Sequence, residues 1–163
     1  MHPYTSGLWT DFALGQLGAS AALLGLVFVG ISININVIMK SPPLVDRASE
    51  SVILLGFVLT TATAVLIPGQ GRHAVGVEIL VVGVVVALAV SRTLRSSGQS
   101  LVQGHQILIR RVLSFGAPLL AIVAGLSLMV NAGGGFDWWV GAVVTAYVAA
   151  LTGAWVLLVE ILR

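Results

Sequence analysis

FALGQLGASAALLGLVFVGISININVIM, residues 12–39, runs through the first quarter of the chain without one charged side chain. At about 1.5 Å rise per residue a helix of that length more than crosses a hydrocarbon core about 30 Å thick. Four further apolar stretches follow at residues 49–67, 74–94, 112–130 and 138–162, each long enough to cross. Threading five spans puts the connections on alternating sides. Lys40 and Arg47 then share a side with Arg92, Arg95, Arg110, Arg111 and Arg163, and Arg72 alone faces the other way. The positive-inside rule orients this arrangement with the N-terminus out and the C-terminus in the cytoplasm. The fold expected is a single all-α domain over residues 1–163, a polytopic membrane helix bundle of five transmembrane helices in a bacterial plasma membrane.

Composition removes several classes of function. Of 163 residues, 58% are hydrophobic and 9% charged, which leaves no soluble domain beside the spans. The surplus of basic residues is small and shows no alternation with aromatics, so no nucleic-acid surface is expected. The chain has no cysteine, which excludes disulfides, thiolate catalysis and zinc–sulfur sites. The start, Met1-His2-Pro3-Tyr4, lacks a basic segment, and the first apolar run is too long for a signal core, so it reads as a retained span.

Breakers place the connections. Lys40-Ser41-Pro42-Pro43 stops the first span because proline cannot continue the backbone ladder, and Asp46 is expected to cap the second. Pro68-Gly69-Gln70-Gly71 ends the second span, and Asn131-Ala132-Gly133-Gly134-Gly135 joins the last two as an antiparallel hairpin. SSGQSLVQGHQ, residues 96–106, reads as a polar cytoplasmic loop, and Pro118 falls within the fourth span, where it would kink the helix. Trp9, Trp138 and Trp139 gather at the outer interface and Trp155 approaches the inner one, as an aromatic belt would.

The first span carries two stripes at about 100° per residue. Gly18, Ala22, Gly25 and Val29, with Gly15 beside them, form a small-residue stripe expected to pack closely against Gly56, Thr60 and Thr63 of the second span. The opposite side carries Gln16, Ser20, Leu24, Val27, Ile31 and Asn34, with Asn36 back on the small side. Two readings of this second stripe stay open. In one, it lines a pore at the axis of a homo-oligomer: Gln16 and Ser20 at the outer mouth, Leu24, Val27 and Ile31 as a hydrophobic gate, Asn34 at the exit. In the other, the amides are solvated at the headgroups and the aliphatics are ordinary packing.

Among charged groups, Glu78 stands six positions after Arg72, near or inside the outer interface. A carboxyl at that depth is a functional candidate, with a snorkelling side chain or an inter-helix ion pair as the plainer account. Glu160 is expected to bridge to Arg163 at i+3. His2 and His73 fall outside and His105 inside, so no metal site is expected within one protomer. No Ser/His/Asp set, paired intramembrane carboxylates, HExxH or P-loop is read, and neither an enzyme nor a cofactor is expected.

GASAALLGLVFVGISININ (residues 18–36), Pro68-Gly69-Gln70 and the ending AWVLLVEILR (residues 154–163) resemble a family of small actinobacterial integral membrane proteins often labelled as modulators of a membrane protease. That resemblance implies an accessory or regulatory subunit with a partner membrane protein. The first span is also more faintly similar to the pore helix of release-activated calcium channels, which implies a homo-oligomer assembled around that helix. The chain differs from those channels in two respects: Asp11 falls on the small-residue meridian, and the N-terminus is read as outside. Two functions are therefore carried forward, a homo-oligomeric channel-like protein and a non-conducting accessory subunit, both surrounded by membrane lipid.

Overall fold

The computed structural model describes residues 6–96 and 104–161, all of them in helices or short connections. Six helices follow in order: α1 (Ser6–Ile33), α2 (Ile35–Ile38), α3 (Pro42–Leu66), α4 (Arg72–Ser96), α5 (Gly104–Val130) and α6 (Gly135–Ile161). All but the one-turn α2 are long and apolar enough to cross a membrane. The described residues contain no strand.

Helix boundaries follow from local chemistry. Pro42 starts α3 because an N-terminal turn needs no N–H from it and its fixed φ suits the first helical position. Helix α3 therefore begins well before residue 49, and Asp46 lies inside it, buried, rather than capping it; Ser41 is the N-cap and makes no side-chain cap bond. Helix α5 begins at Gly104, so the expected loop at 96–106 is helical at both of its ends, and residues 97–103 lie outside those described. Gly69, Asn131, Gly133 and Gly134 take positive φ in the two connections flanking the α4–α5 pair. Pro118 lies inside α5 and is fully buried.

The first span is interrupted. At Asn34 (φ −108°, ψ 14°) the helix breaks before α2. The Asn34 N–H turns to the Ile31 carbonyl at 3.2 Å, which would strand the Gly30 carbonyl. The Asn34 side-chain Nδ2 replaces the missing donor, reaching Gly30 O at 3.0 Å. The break thus keeps its backbone acceptor satisfied, as an apolar surrounding demands.

Helices α3, α4, α5 and α6 close a four-membered ring in which each packs against the next, and α1 lies outside it against α3. Half of the α3 span is buried but only 11% of the α1 span. Aromatic rings fasten the start of α1 to α6: Trp9 stacks on Phe136 at 4.9 Å, and Phe12 meets Trp139 edge-on at 5.4 Å. Trp139 is fully buried and donates its Nε1–H to Thr61 Oγ1 of α3 at 3.1 Å. It is a core residue, contrary to the interfacial placement expected, whereas Trp138 and Trp155 are exposed.

The tightest helix contact joins α4 to α5. A Cβ on Gly76 would lie 2.9 Å from the Gly125 carbonyl oxygen, and one on Gly125 only 2.7 Å from that of Gly76. One turn pair further along, a Cβ on Gly83 would press on Ala121 and Ile122 at 3.2–3.3 Å. Close backbone approach through small residues is how helices gain dispersion contacts in lipid, where burial of apolar surface supplies little drive.

Candidate functional site

Helix α1 turns its small-residue stripe outward, contrary to the packing against α3 expected for it. Gly18, Ala22, Gly25 and Val29 are exposed, as is Gly15. A Cβ added at Gly15, Gly18 or Gly25 would meet nothing within 4 Å, and the same holds at Gly56, while Thr60 and Thr63 are also exposed. The close packing expected between the small stripe and α3 is therefore absent.

The polar–aliphatic stripe is the one directed into the bundle. Ser20 is fully buried and its hydroxyl donates to the Gln16 carbonyl at 2.7 Å, bonding back one turn. Tyr147 of α6 donates its hydroxyl to the same Gln16 oxygen at 3.3 Å. Leu24 and Val27 are half-buried against the main core, and Ile31 packs with the second cluster around Ile38, Leu44 and Ala48. Asn34 is half-buried and occupied with the Gly30 carbonyl. The six candidate pore-lining residues thus sit on one face, together, and that face packs against the chain's own helices. Beside the break, an open apolar groove of about 300 Å³ runs between Ile31, Ile35 and Met39 on one side and Val45, Ala48 and Val52 on the other.

Carboxylates occupy the start of α3. Asp46 and Glu50, one turn apart, are both buried. Ser114 of α5 donates its hydroxyl to Glu50 Oε1, and the neighbouring Ser51 donates to the Ala150 carbonyl of α6 at 3.1 Å. Gly153 admits this contact, since a Cβ there would stand 2.7 Å from Ser51 Oγ. A buried carboxylate pair was not expected from sequence. The signal was present as the i, i+4 spacing of Asp46 and Glu50, and it was hidden by starting the span at residue 49.

Glu78 lies on the first turns of α4 with Gln70 of the preceding turn beside it. Gln70 Nε2 donates to Glu78 Oε1 at 2.8 Å. The other two heavy atoms of the pair, Glu78 Oε2 and Gln70 Oε1, are buried and have no hydrogen-bond partner. Among the described residues no group of three His, Asp or Glu side chains comes together as a metal site. The Glu160–Arg163 bridge and His2 fall outside the residues or side chains described, as does the side chain of His105, and His73 is exposed.

No protein-family model, curated protein or solved structure matches the chain.

Proposed function

We propose that this chain is a plasma-membrane subunit, N-terminus outside and C-terminus in the cytoplasm, that assembles as a homo-oligomer with α1 nearest the axis and serves as a non-conducting accessory or regulatory component. The carrying observation is the exposed small face of α1, where Gly15, Gly18 and Gly25 meet nothing within the protomer. A glycine inside a helix is less favourable than alanine by about 1 kcal/mol. In lipid that loss is offset where another backbone comes close, as happens between Gly76 and Gly125 inside the same chain. The α1 glycines have the same chemistry and no partner within the protomer, so a second copy of α1 is the partner proposed. Orientation rests on the charges: Lys40, Arg47, Arg92 and Arg111 gather at the end opposite Arg72.

The fate of the stripe at Gln16, Ser20, Leu24, Val27, Ile31 and Asn34 favours the non-conducting form. A dewetting gate needs aliphatic side chains facing water, and Leu24 and Val27 instead pack on the core. A channel-like form is favoured by a different observation: Ser32 and Asn36 are exposed on the outward side of the first span, so an axial path would be lined by the small face. Particle mass by light scattering, followed by ion flux from liposomes holding the assembled particle, tests both. The proposal expects a particle of several protomers and no flux above empty liposomes. A monomer at every protein-to-detergent ratio contradicts the assembly, and flux through the particle restores the channel-like form.

A further inference from the structure

The open groove beside the Asn34 break has the depth of one bilayer leaflet. Ile31 precedes the break and Ile35 and Met39 follow it, so the groove straddles the interruption of the first span. Its other wall, Val45, Ala48 and Val52, is a single stripe of α3 at helical spacing. That wall reaches Ile53, which at about 1.5 Å per residue lies about 16 Å along α3 from Pro42. Half of a hydrocarbon core about 30 Å thick has the same length. The groove encloses about 300 Å³ between aliphatic side chains, with Ser49 as the one polar residue among those lining it. Such a space suits an acyl chain that enters from the end where the first two spans connect.

Charge selects the headgroup. Lys40 directly follows Met39 in that connection and is exposed, and Arg47 lies on the first turns of α3 between Val45 and Ala48. The carboxyl groups of this stretch, Asp46 and Glu50, are buried, Glu50 accepts from Ser114 of α5, and neither lines the groove. An ammonium group at headgroup level beside an apolar groove favours a phosphate whose lipid carries net negative charge, because basic pockets between membrane helices hold such headgroups. A second copy of the chain has a different face to use. Ile31 belongs to the stripe turned into the bundle, whereas Gly18 and Gly25 stand open on the other side of α1. Assembly through those glycines leaves the groove to lipid.

We infer that this groove is a binding site for one anionic phospholipid of the bilayer, with an acyl chain laid between α2 and the first turns of α3 and the phosphate held at Lys40. The chain supplies contact with Ile35, Met39 and Val52, and the headgroup supplies selectivity. No covalent bond forms or breaks.

Native mass spectrometry of the full chain, released from vesicles of phosphatidylcholine and phosphatidylglycerol in equal parts, tests the site. The wild type is expected to keep one phosphatidylglycerol per protomer, about five-fold more often than phosphatidylcholine, the preference that one basic residue near the headgroups supplies. Lys40→Gln should bring the two lipids to parity, and Lys40→Arg should keep the preference. Val52→Phe and Ile35→Trp, which place a ring in the groove from either wall, should lower retention of both lipids several-fold. Ile35 is exposed, so Ile35→Trp reads the groove without disturbing the core. Equal retention of both lipids by the wild type, a preference that Lys40→Gln leaves intact, or retention untouched by both ring variants overturns the inference. So does a wild type that keeps no lipid, and dimers lost on Ile35→Trp would then identify a second copy as the occupant.

Discussion

Gly25 and Gly125 sit in apolar stretches that look alike on the page, and the structure gives them opposite surroundings. A methyl group at Gly125 would run into the Gly76 carbonyl oxygen and Leu80, whereas at Gly25 it would enter open space. Gly125→Ala should therefore destabilise the protein by about 1–3 kcal/mol, the range for forcing extra volume into a packed contact. Gly25→Ala should leave protomer stability unchanged or raise it by up to about 1 kcal/mol through helix propensity. Thermal unfolding in dilute detergent compares the two; equal destabilisation would contradict the close α4–α5 contact. Trp139 supports a second comparison. Trp139→Phe removes the donor to Thr61 Oγ1 and part of the ring that fills the space between α1, α3 and α6, and should cost about 1–3 kcal/mol. Thr61→Val, which removes the acceptor but leaves the indole N–H buried, should destabilise as well, and neither change should affect assembly through α1.

At the scale of helices, the five spans were legible because length and hydropathy alone decide what can cross a bilayer, and five long helices are present. The two-sided character of α1 was legible too, since a period of 3.6 separates Gly18 and Gly25 from Gln16 and Ser20. Which side faces inward was not. Lipid is as apolar as a protein core, so hydropathy gives no direction, and only the shape of neighbouring helices settles it. The same reason hid the α4–α5 contact: Gly76, Gly83 and Gly125 lie on two different spans, and their meaning is their mutual fit. Asp46 and Glu50 were obscured by starting the second span at residue 49 with Asp46 as its cap, although Pro42 marks the start of α3. The break at Asn34 escaped because an amide near a helix end looks solvated until its bond to Gly30 is seen. Gly18→Leu and Gly25→Leu should leave the protomer folded with unchanged thermal stability, since neither side chain meets α3, and should shift the particle toward monomers in light scattering. Loss of the folded protomer in both variants would return the small stripe to the inside of the bundle.

Across the whole molecule, a four-helix ring of α3 to α6 supplies the stable body, and α1 is laid on its outside with one face in and one face free. That division explains why a helix with Asp11 as its one charged side chain carries so many glycines: they are placed where the rest of the chain does not touch them. Reporter fusions after Arg163 should read cytoplasmic and a tag before Tyr4 should read outside, with the opposite pair of signals contradicting the orientation. Because the chain contains no cysteine, single cysteines can be placed without background. Cross-linking of Ala22→Cys and Val27→Cys in native membranes addresses α1 directly, since these residues stand on its two stripes. The account predicts covalent dimers from Ala22→Cys and none from Val27→Cys; cross-linking at Val27→Cys with Ala22→Cys remaining monomeric would contradict it.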